Sequence, residues 1–357
     1  SPNHPDLAST YNNIASVYSQ MSDCTKALSY HEQALAIRQQ SLHPNHPDLA
    51  STYNNIASVY SQMMTIQKPL SHLEKVFAIK QQSLPSNHPD LAISYNNIGL
   101  VYYNMGDYTK SLSSHKQALA IRQQSLHPNH PDLASTYNNI ASVYSQMSDY
   151  TKALSHLEKV FAIKQQSLPS NHPDLASTYN NIASVYSQMS DYTKALSYHE
   201  QALAIQEQSL PPNHPDLAST YNNIASVYSQ MSDYTKALSH LEKVFAIKQQ
   251  SLPSNHPDLA ISYNNIGLVY YNMGDYTKSL SSHKQALAIR QQSLHPNHLD
   301  LAKSYHNIGS VYEIMKSYSE AYSFYERALQ IGQQSLPSGH PDLQIFGNNF
   351  ANIKKKL

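Results

Sequence analysis

Residues 4–20 read HPDLASTYNNIASVYSQ, and close copies of this stretch return every 42 residues along the chain. The motif His-Pro-Asp-Leu begins eight of the copies and His-Leu-Asp-Leu begins a ninth, with starts at His4, His46, His88, His130, His172, His214, His256, His298 and His340. We divide residues 4–339 into repeats one to eight and number the positions of each from its histidine, position 1. Such internal repetition is typical of proteins that stack small units.

Both ends of the chain follow the same pattern. Residues 340–357 form the first half of a ninth repeat, which we expect either to cap the array or to precede a further copy. Residues 1–3 match the end of a preceding repeat. We therefore expect the array, or something beyond it, to continue before Ser1.

Each repeat is predicted to form two helices joined by a short turn. In repeat one, Pro5 fits the first helical position, and Asp6 places negative charge at the helix N-terminus. Its apolar residues recur at helical spacing: Leu7, Tyr11, Ile14, Ala15 and Tyr18. Asp23 is a good N-cap for a second helix that ends near Leu42. Two such helices bury their apolar stripes by stacking on neighbours, so we expect an all-α fold, a right-handed α-solenoid.

The order of large and small residues resembles the tetratricopeptide repeat. The first helix matches the large–aliphatic–small–aromatic series of that family with Tyr11, Ile14, Ala15 and Tyr18. In the second helix, Ala27 and Ala34 match the small positions, and His31 stands at the aromatic one. The longer 42-residue unit looks like the arrays of kinesin light chain and nephrocystin-3. The resemblance implies a concave groove lined by first helices, a cytoplasmic location and protein binding, for example as an adaptor between cargo and a motor or cytoskeletal complex.

The composition argues against several classes of partner. The chain carries 24 Lys and Arg residues and 24 Asp and Glu residues, so its formal net charge is zero. We expect no nucleic-acid partner and no membrane partner, because an excess of positive charge drives both kinds of binding. The single cysteine cannot form an intrachain disulfide, which favours a reducing compartment.

The twenty histidines are predicted to be structural. Nine of them stand at position 1, in the turn that starts a helix, where we expect them to shape the turn or cap the helix. A zinc site needs several ligands around one ion, and a catalytic triad needs one converged constellation. One histidine per repeat is instead spread along an array, and no glycine-rich nucleotide-binding pattern occurs. We therefore expect no metal, no cofactor and no catalytic residue.

The candidate binding residues lie on one side of the first helix. Positions 6, 9, 13, 16 and 17 share this side, which we name the first-helix face. Position 9 is asparagine in seven repeats: Asn12, Asn54, Asn96, Asn138, Asn180, Asn222 and Asn264. An amide both donates and accepts hydrogen bonds, so we expect this row to hold the backbone of an extended peptide. The alternative interpretation is a passive polar surface that was copied with the repeat.

Repeats three and seven interrupt the polar first-helix face. Their positions 6, 13 and 16 carry Ile93, Leu100 and Tyr103 in repeat three, and Ile261, Leu268 and Tyr271 in repeat seven. Residues 88–129 and 256–297 are identical, so a duplicated block accounts for the pairing. Because exposed apolar side chains also form pockets in grooves, we expect these residues to receive apolar side chains of a ligand.

The sequence thus predicts a non-catalytic scaffold that binds a peptide or a partner protein. An alternative is that the array belongs to a larger enzyme, for example an ADP-ribosyltransferase, whose catalytic domain lies outside this chain. End-to-end self-association is a third interpretation, because the net charge is zero and the repeats are nearly identical.

Repeat two differs from its copies where its second helix should begin. It reads MTIQKPL at residues 64–70, where repeats four, five and six read SDYTKAL. Proline lacks the N–H that bonds back to the helix cap. We therefore expect this helix to start about one turn late, and repeats one and two to form the weakest joint of the array.

Overall fold

A computed structural model describes residues 4–21, 23–63 and 68–357 of the chain. These residues form seventeen α-helices and contain no β-strand, which confirms the all-α prediction. First and second helices alternate along the chain, so that each repeat supplies one antiparallel helix pair.

The chain divides into two compact units, Ser1–Ser170 and Asn171–Leu357. The first unit holds α1 (Pro5–Gln20), α2 (Cys24–Ser41), α3 (Pro47–Gln62), α4 (Lys68–Ser83), α5 (Pro89–Asn104), α6 (Tyr108–Ser125), α7 (Pro131–Gln146) and α8 (Tyr150–Ser167). The second unit holds α9 (Pro173–Gln188), α10 (Tyr192–Ser209), α11 (Pro215–Gln230), α12 (Tyr234–Ser251), α13 (Pro257–Met273), α14 (Tyr276–Ser293), α15 (Leu299–Ile314), α16 (Tyr318–Ser335) and α17 (Pro341–Lys354).

The position-1 histidine caps the N-terminus of every first helix. The backbone N–H of Asp6 donates to Nδ1 of His4 at 3.2 Å, and all nine copies of this bond measure 3.1–3.2 Å. The histidine ring thus satisfies one of the free N–H groups at the helix start. The predicted capping role of these histidines is confirmed.

The turn between the two helices of a repeat uses a left-handed residue and an aspartate cap. The residue before the aspartate has a positive φ, for example 76° at Gly106 and 60° at Ser148. Glycine adopts this conformation at little cost, whereas serine is strained there. The backbone N–H of Lys110 then donates to Oδ1 of Asp107 at 3.1 Å, and Asp23 makes the same predicted cap in repeat one.

The core forms where first and second helices cross. In repeat four, Leu133, Ile140 and Val143 are at most 3% exposed, and Ala153 at position 24 is completely buried. Each large side chain of this kind contributes about 1.5–3 kcal/mol through burial. Position 24 requires a small residue because two helix backbones approach each other closely there.

Repeat two places Pro69 at this small position. Elsewhere the residue at position 24 donates its N–H to the cap, as Ala153 does to the Asp149 carbonyl at 3.0 Å. Pro69 cannot make that bond. The second helix of repeat two is described from Lys68 onward, and the expected late start concerns residues 64–67, which lie outside the described residues.

Candidate functional site

Beneath the first-helix face, the core alternates between two compositions. Position 28 of the second helix is histidine in the odd repeats and leucine in repeats two, four and six: His31, His115, His199 and His283 against Leu73, Leu157 and Leu241. All seven side chains are buried. The structural period is therefore two repeats, or 84 residues.

In repeats one, three and five, the buried histidine is hydrogen-bonded to the position-9 asparagine. Nδ1 of His31 donates to Oδ1 of Asn12 at 2.7 Å, and the His199–Asn180 pair has the same length. The His115–Asn96 pair measures 3.1 Å. The amide nitrogens of Asn12 and Asn180 donate to threonines of the next repeat, Thr52 and Thr220. Each of these two asparagines therefore links three helices. The helical periodicity of the sequence alone does not reveal this link.

Burial keeps these histidines neutral. It lowers the pKa of His199 to about 4, and that of His115 and His283 to about 4 with a further contribution from Arg122 and Arg290. The pKa of His31 is lowered for the same reason. Neutral, buried rings do not act as acid–base groups toward a ligand on the surface.

Further amide contacts cross from one repeat to the next. Position 10 of repeat four, Asn139, donates its amide N–H to Oδ1 of Asn96 at 2.9 Å. Asn307 donates to Asn264 at 2.9 Å, and Asn265 donates to Asn222 at 3.5 Å. The asparagine row is therefore a hydrogen-bonded part of the stack as well as a surface.

In repeats two and six, the position-9 asparagine lines a pocket. A pocket of about 440 Å³ lies between repeats two and three, where Asn54 and Asn97 line it beside Val76, Ile79 and Ile93. A pocket of about 310 Å³ lies at the equivalent place between repeats six and seven, with Asn222, Asn265 and Ile261 in its wall. The two pockets occupy the same positions, 168 residues apart.

Of the predicted apolar residues, Ile93 and Ile261 line these two pockets. Ile93 and Leu100 are 44% and 41% exposed, and Ile261 and Leu268 are both 42% exposed. A further pocket of about 310 Å³ shares Asn222 and Asn265 with the previous one and includes Leu268. The structure therefore brings Asn222, Ile261 and Leu268 together around two adjoining pockets.

The two predicted tyrosines turn toward the start of their own second helix. Tyr103 packs edge-on against Tyr108 with ring centroids 5.7 Å apart, and Tyr271 packs against Tyr276 at 5.8 Å. Burial, together with the neighbouring Tyr276, raises the pKa of Tyr271. Both rings stand at the edge of the first-helix face.

Charged groups on the first-helix face of repeat eight are paired. The ammonium of Lys303 lies 3.4 Å from the Asp342 carboxylate, and Glu313 accepts a hydrogen bond from Lys356 at 2.8 Å. Among the described residues, no three His, Cys, Asp or Glu side chains are grouped as a metal site. None of the described helices is long and apolar enough to cross a membrane.

Comparison with known proteins identifies the repeat. The tetratricopeptide repeat family matches residues 6–82, 66–124, 90–166, 174–250 and 258–334. This chain belongs to the tetratricopeptide repeat family. Its helix pairs are thus those of a tetratricopeptide solenoid, and proteins of this family are typically non-catalytic interaction scaffolds. A search of curated proteins found no match.

Several solved structures resemble the chain in fold. A Podosopora anserina protein assigned as a kinesin light chain, with nearly identical repeats, is 26% identical, covers 58% of this chain and 97% of its own, and has a TM-score of 0.53. BtubC (BKLC) of P. vanneervenii is 23% identical, with coverages of 66% and 92% and a TM-score of 0.55. A Rap protein complexed with competence and sporulation factor is 13% identical, with 99% coverage of both chains and a TM-score of 0.54.

Proposed function

We propose that this protein is a scaffold that binds an extended peptide segment of a partner protein along its first-helix face. The observation that carries the proposal is the pair of equivalent pockets, each bordered by an asparagine of position 9 and an exposed isoleucine. Amides for the peptide backbone and apolar walls for its side chains are the two requirements of extended-peptide binding.

The asparagines of position 9 have two different roles in this proposal. The oxygens of Asn12, Asn96 and Asn180 are bonded to histidines, so these residues position the stack. Asn54 and Asn222 line the pockets and are the residues we assign to the peptide backbone. Asn138 lies between these two residues in sequence, and Asn264 follows Asn222.

Affinity is expected to be moderate and nearly independent of salt. Each hydrogen bond from an asparagine to the peptide backbone contributes about 0.5–1.5 kcal/mol, and the cost of ordering the peptide offsets much of this, which leaves roughly micromolar binding. The charges on the face of repeat eight are already paired within the chain. Salt therefore has little unpaired charge to screen.

The likeness to the Podosopora anserina protein supports a more specific role, that of a kinesin-light-chain-like adaptor in the cytoplasm. The test is a pull-down from cytosolic extract, followed by measurement of the isolated partner's affinity for variants. Asn54→Ala and Asn222→Ala should weaken every ligand, whereas Tyr103→Ala should change the order of preference among ligands. Binding that survives these changes, but is lost on substitution of exposed second-helix residues such as Lys159, would contradict the proposal.

A further inference from the structure

Position 35 of each repeat stands at the junction with the next repeat, and its identity alternates. The odd repeats carry Arg38, Arg122, Gln206 and Arg290, and the even repeats carry Lys80, Lys164, Lys248 and Gly332. The side chain at this position lies between the first helices of two successive repeats. Its size and bonding decide whether the space between them is filled.

At the junction after repeat one, Arg38 fills this space. Its guanidinium donates to the Asp48 carbonyl at 2.8 Å and to Oγ1 of Thr52 at 2.7 Å. It also reaches Oγ of Ser9 at 3.4 Å and lies 3.6 Å from the Asp48 carboxylate. Arg122 and Arg290 repeat the first two bonds at their own junctions.

At the junction after repeat two, a lysine leaves the same space open. The residues equivalent to the partners of Arg38 are Ser51, Asp90 and Ser94, and all three line the 440 Å³ pocket. The ammonium of Lys80 lies 3.9 Å from the Asp90 carboxylate, too far for a hydrogen bond. The pocket is therefore the arginine site of an odd junction without its guanidinium.

At the junction after repeat eight, an aromatic side chain fills the space. Position 35 is Gly332, where an added Cβ would lie 2.9 Å from the ring of Phe346. Phe346 is buried in one apolar cluster with Ala302, Ala328 and Ile331. These stand at positions 5, 31 and 34, the positions that contribute Ala50, Val76 and Ile79 to the pocket. The chain itself thus shows that an apolar ring fits this place.

We propose that the junctions after repeats two and six each receive one aromatic or large aliphatic side chain of an extended peptide, and that lysine at position 35 keeps them open. This inference rests on the proposed function and assigns its specificity. The rim favours an uncharged segment, because Lys80 and Asp90 offset each other and Asn54 and Asn97 are neutral amides. Each compact unit holds one complete site, so the chain binds two copies of the motif.

The experiment uses the full chain with labelled Ile, Leu and Val methyl groups, titrated by NMR with two capped peptides, Ac-Gly-Ser-Phe-Ser-Gly-NH2 and its Phe→Ala counterpart. We expect the phenylalanine peptide to cause saturable shifts at Ile93 and Ile261, and the alanine peptide to bind at least tenfold more weakly. Lys80→Arg should abolish the shift at Ile93 and preserve that at Ile261, and Lys248→Arg should do the reverse.

Matched variants separate pocket filling from other effects. Repeats one, three and seven pair arginine at position 35 with alanine at position 31. Val76→Ala with Lys80→Arg reproduces that pair, and Val76→Ala alone should keep the site. Lys152→Arg, an exposed exchange of the same kind, should change nothing. The inference would be overturned if the shift at Ile93 were unaltered both in Lys80→Arg and in Val76→Ala with Lys80→Arg. Equal affinity of the two peptides would also overturn it. Shifts confined to Leu100 and Leu268 would overturn it but leave groove binding intact, whereas no shift with either peptide up to millimolar concentration would overturn both.

Discussion

Replacing a buried histidine by leucine should remove part of the protein's sensitivity to acid. His199 is the clearest position, because burial alone lowers its pKa to about 4 and Gln206 stands where other odd repeats carry arginine. Its ring is 1% exposed and bonded to Asn180. Leucine is the natural choice, since Leu157 and Leu241 occupy the same position in the neighbouring repeats.

The size of the effect follows from the difference in pKa between the folded and the unfolded chain. An unfolded histidine has a pKa near 6.5, so between pH 6.5 and 4 the unfolded chain binds a proton that folded His199 does not. The contribution of neutral His199 to the free energy of unfolding is therefore fully present above pH 6.5 and is lost as the pH falls toward 4. For this one residue, the loss between pH 7.5 and pH 5 is about 2 kcal/mol.

Urea unfolding followed by circular dichroism at pH 7.5 and pH 5 measures this loss. His199→Leu should be about 2 kcal/mol less acid-sensitive than the wild type, although loss of the Asn180 bond costs it about 1 kcal/mol at both pH values. Leu241→Met is the control, because it alters the same core position without a titratable group. If His199→Leu and the wild type lose equal stability on acidification, the reasoning is wrong.

Three further substitutions test the packing by urea unfolding or hydrogen exchange. Pro69→Ala restores the missing N–H near the start of its helix and should stabilise repeat two by about 1–3 kcal/mol; equal exchange protection of repeats two and six in the wild type would argue against a weak joint there. Gly309→Ala should cost about 1–3 kcal/mol, because its Cβ would lie 2.8 Å from the buried Tyr325 ring, and an unchanged urea midpoint would contradict that. Arg122→Ala removes bonds to the next helix and should cost about 2–3 kcal/mol, whereas loss of the exposed Lys152 should leave the midpoint unchanged.

The fold could be predicted because the same local sequence signals recur in every repeat. Pro5 and Asp6 mark a helix start, Asp23 marks the next, and the spacing of apolar residues fixes the buried stripe. The histidine caps were also predictable from the sequence, since one histidine precedes proline in nearly every repeat. Local signals that recur nine times leave little room for another interpretation.

The candidate site was only partly predictable, because helical periodicity gives the direction of a side chain but not its bonding partner. Asn12 and Asn54 occupy the same position, yet Asn12 is bonded to His31, whereas Asn54 lines a pocket above Leu73. The alternation of histidine and leucine at position 28 was visible in the sequence. Its consequence for the asparagine row required the two helices to be placed side by side.

The pockets also follow from alternation rather than from the exposed apolar residues alone. Ile93 and Ile261 are apolar residues on a polar face. We infer that each lines a pocket because the preceding repeat carries lysine, not arginine, at position 35. Changes at positions 6 and 35, in successive repeats, are therefore needed together. Duplication of a four-repeat block copies both at once, which explains how one chain holds two equivalent sites 168 residues apart. Duplication of a single repeat would have separated lysine at position 35 from isoleucine at position 6 of the next repeat. An odd repeat would then follow an odd repeat, and arginine at position 35 would fill the junction between them.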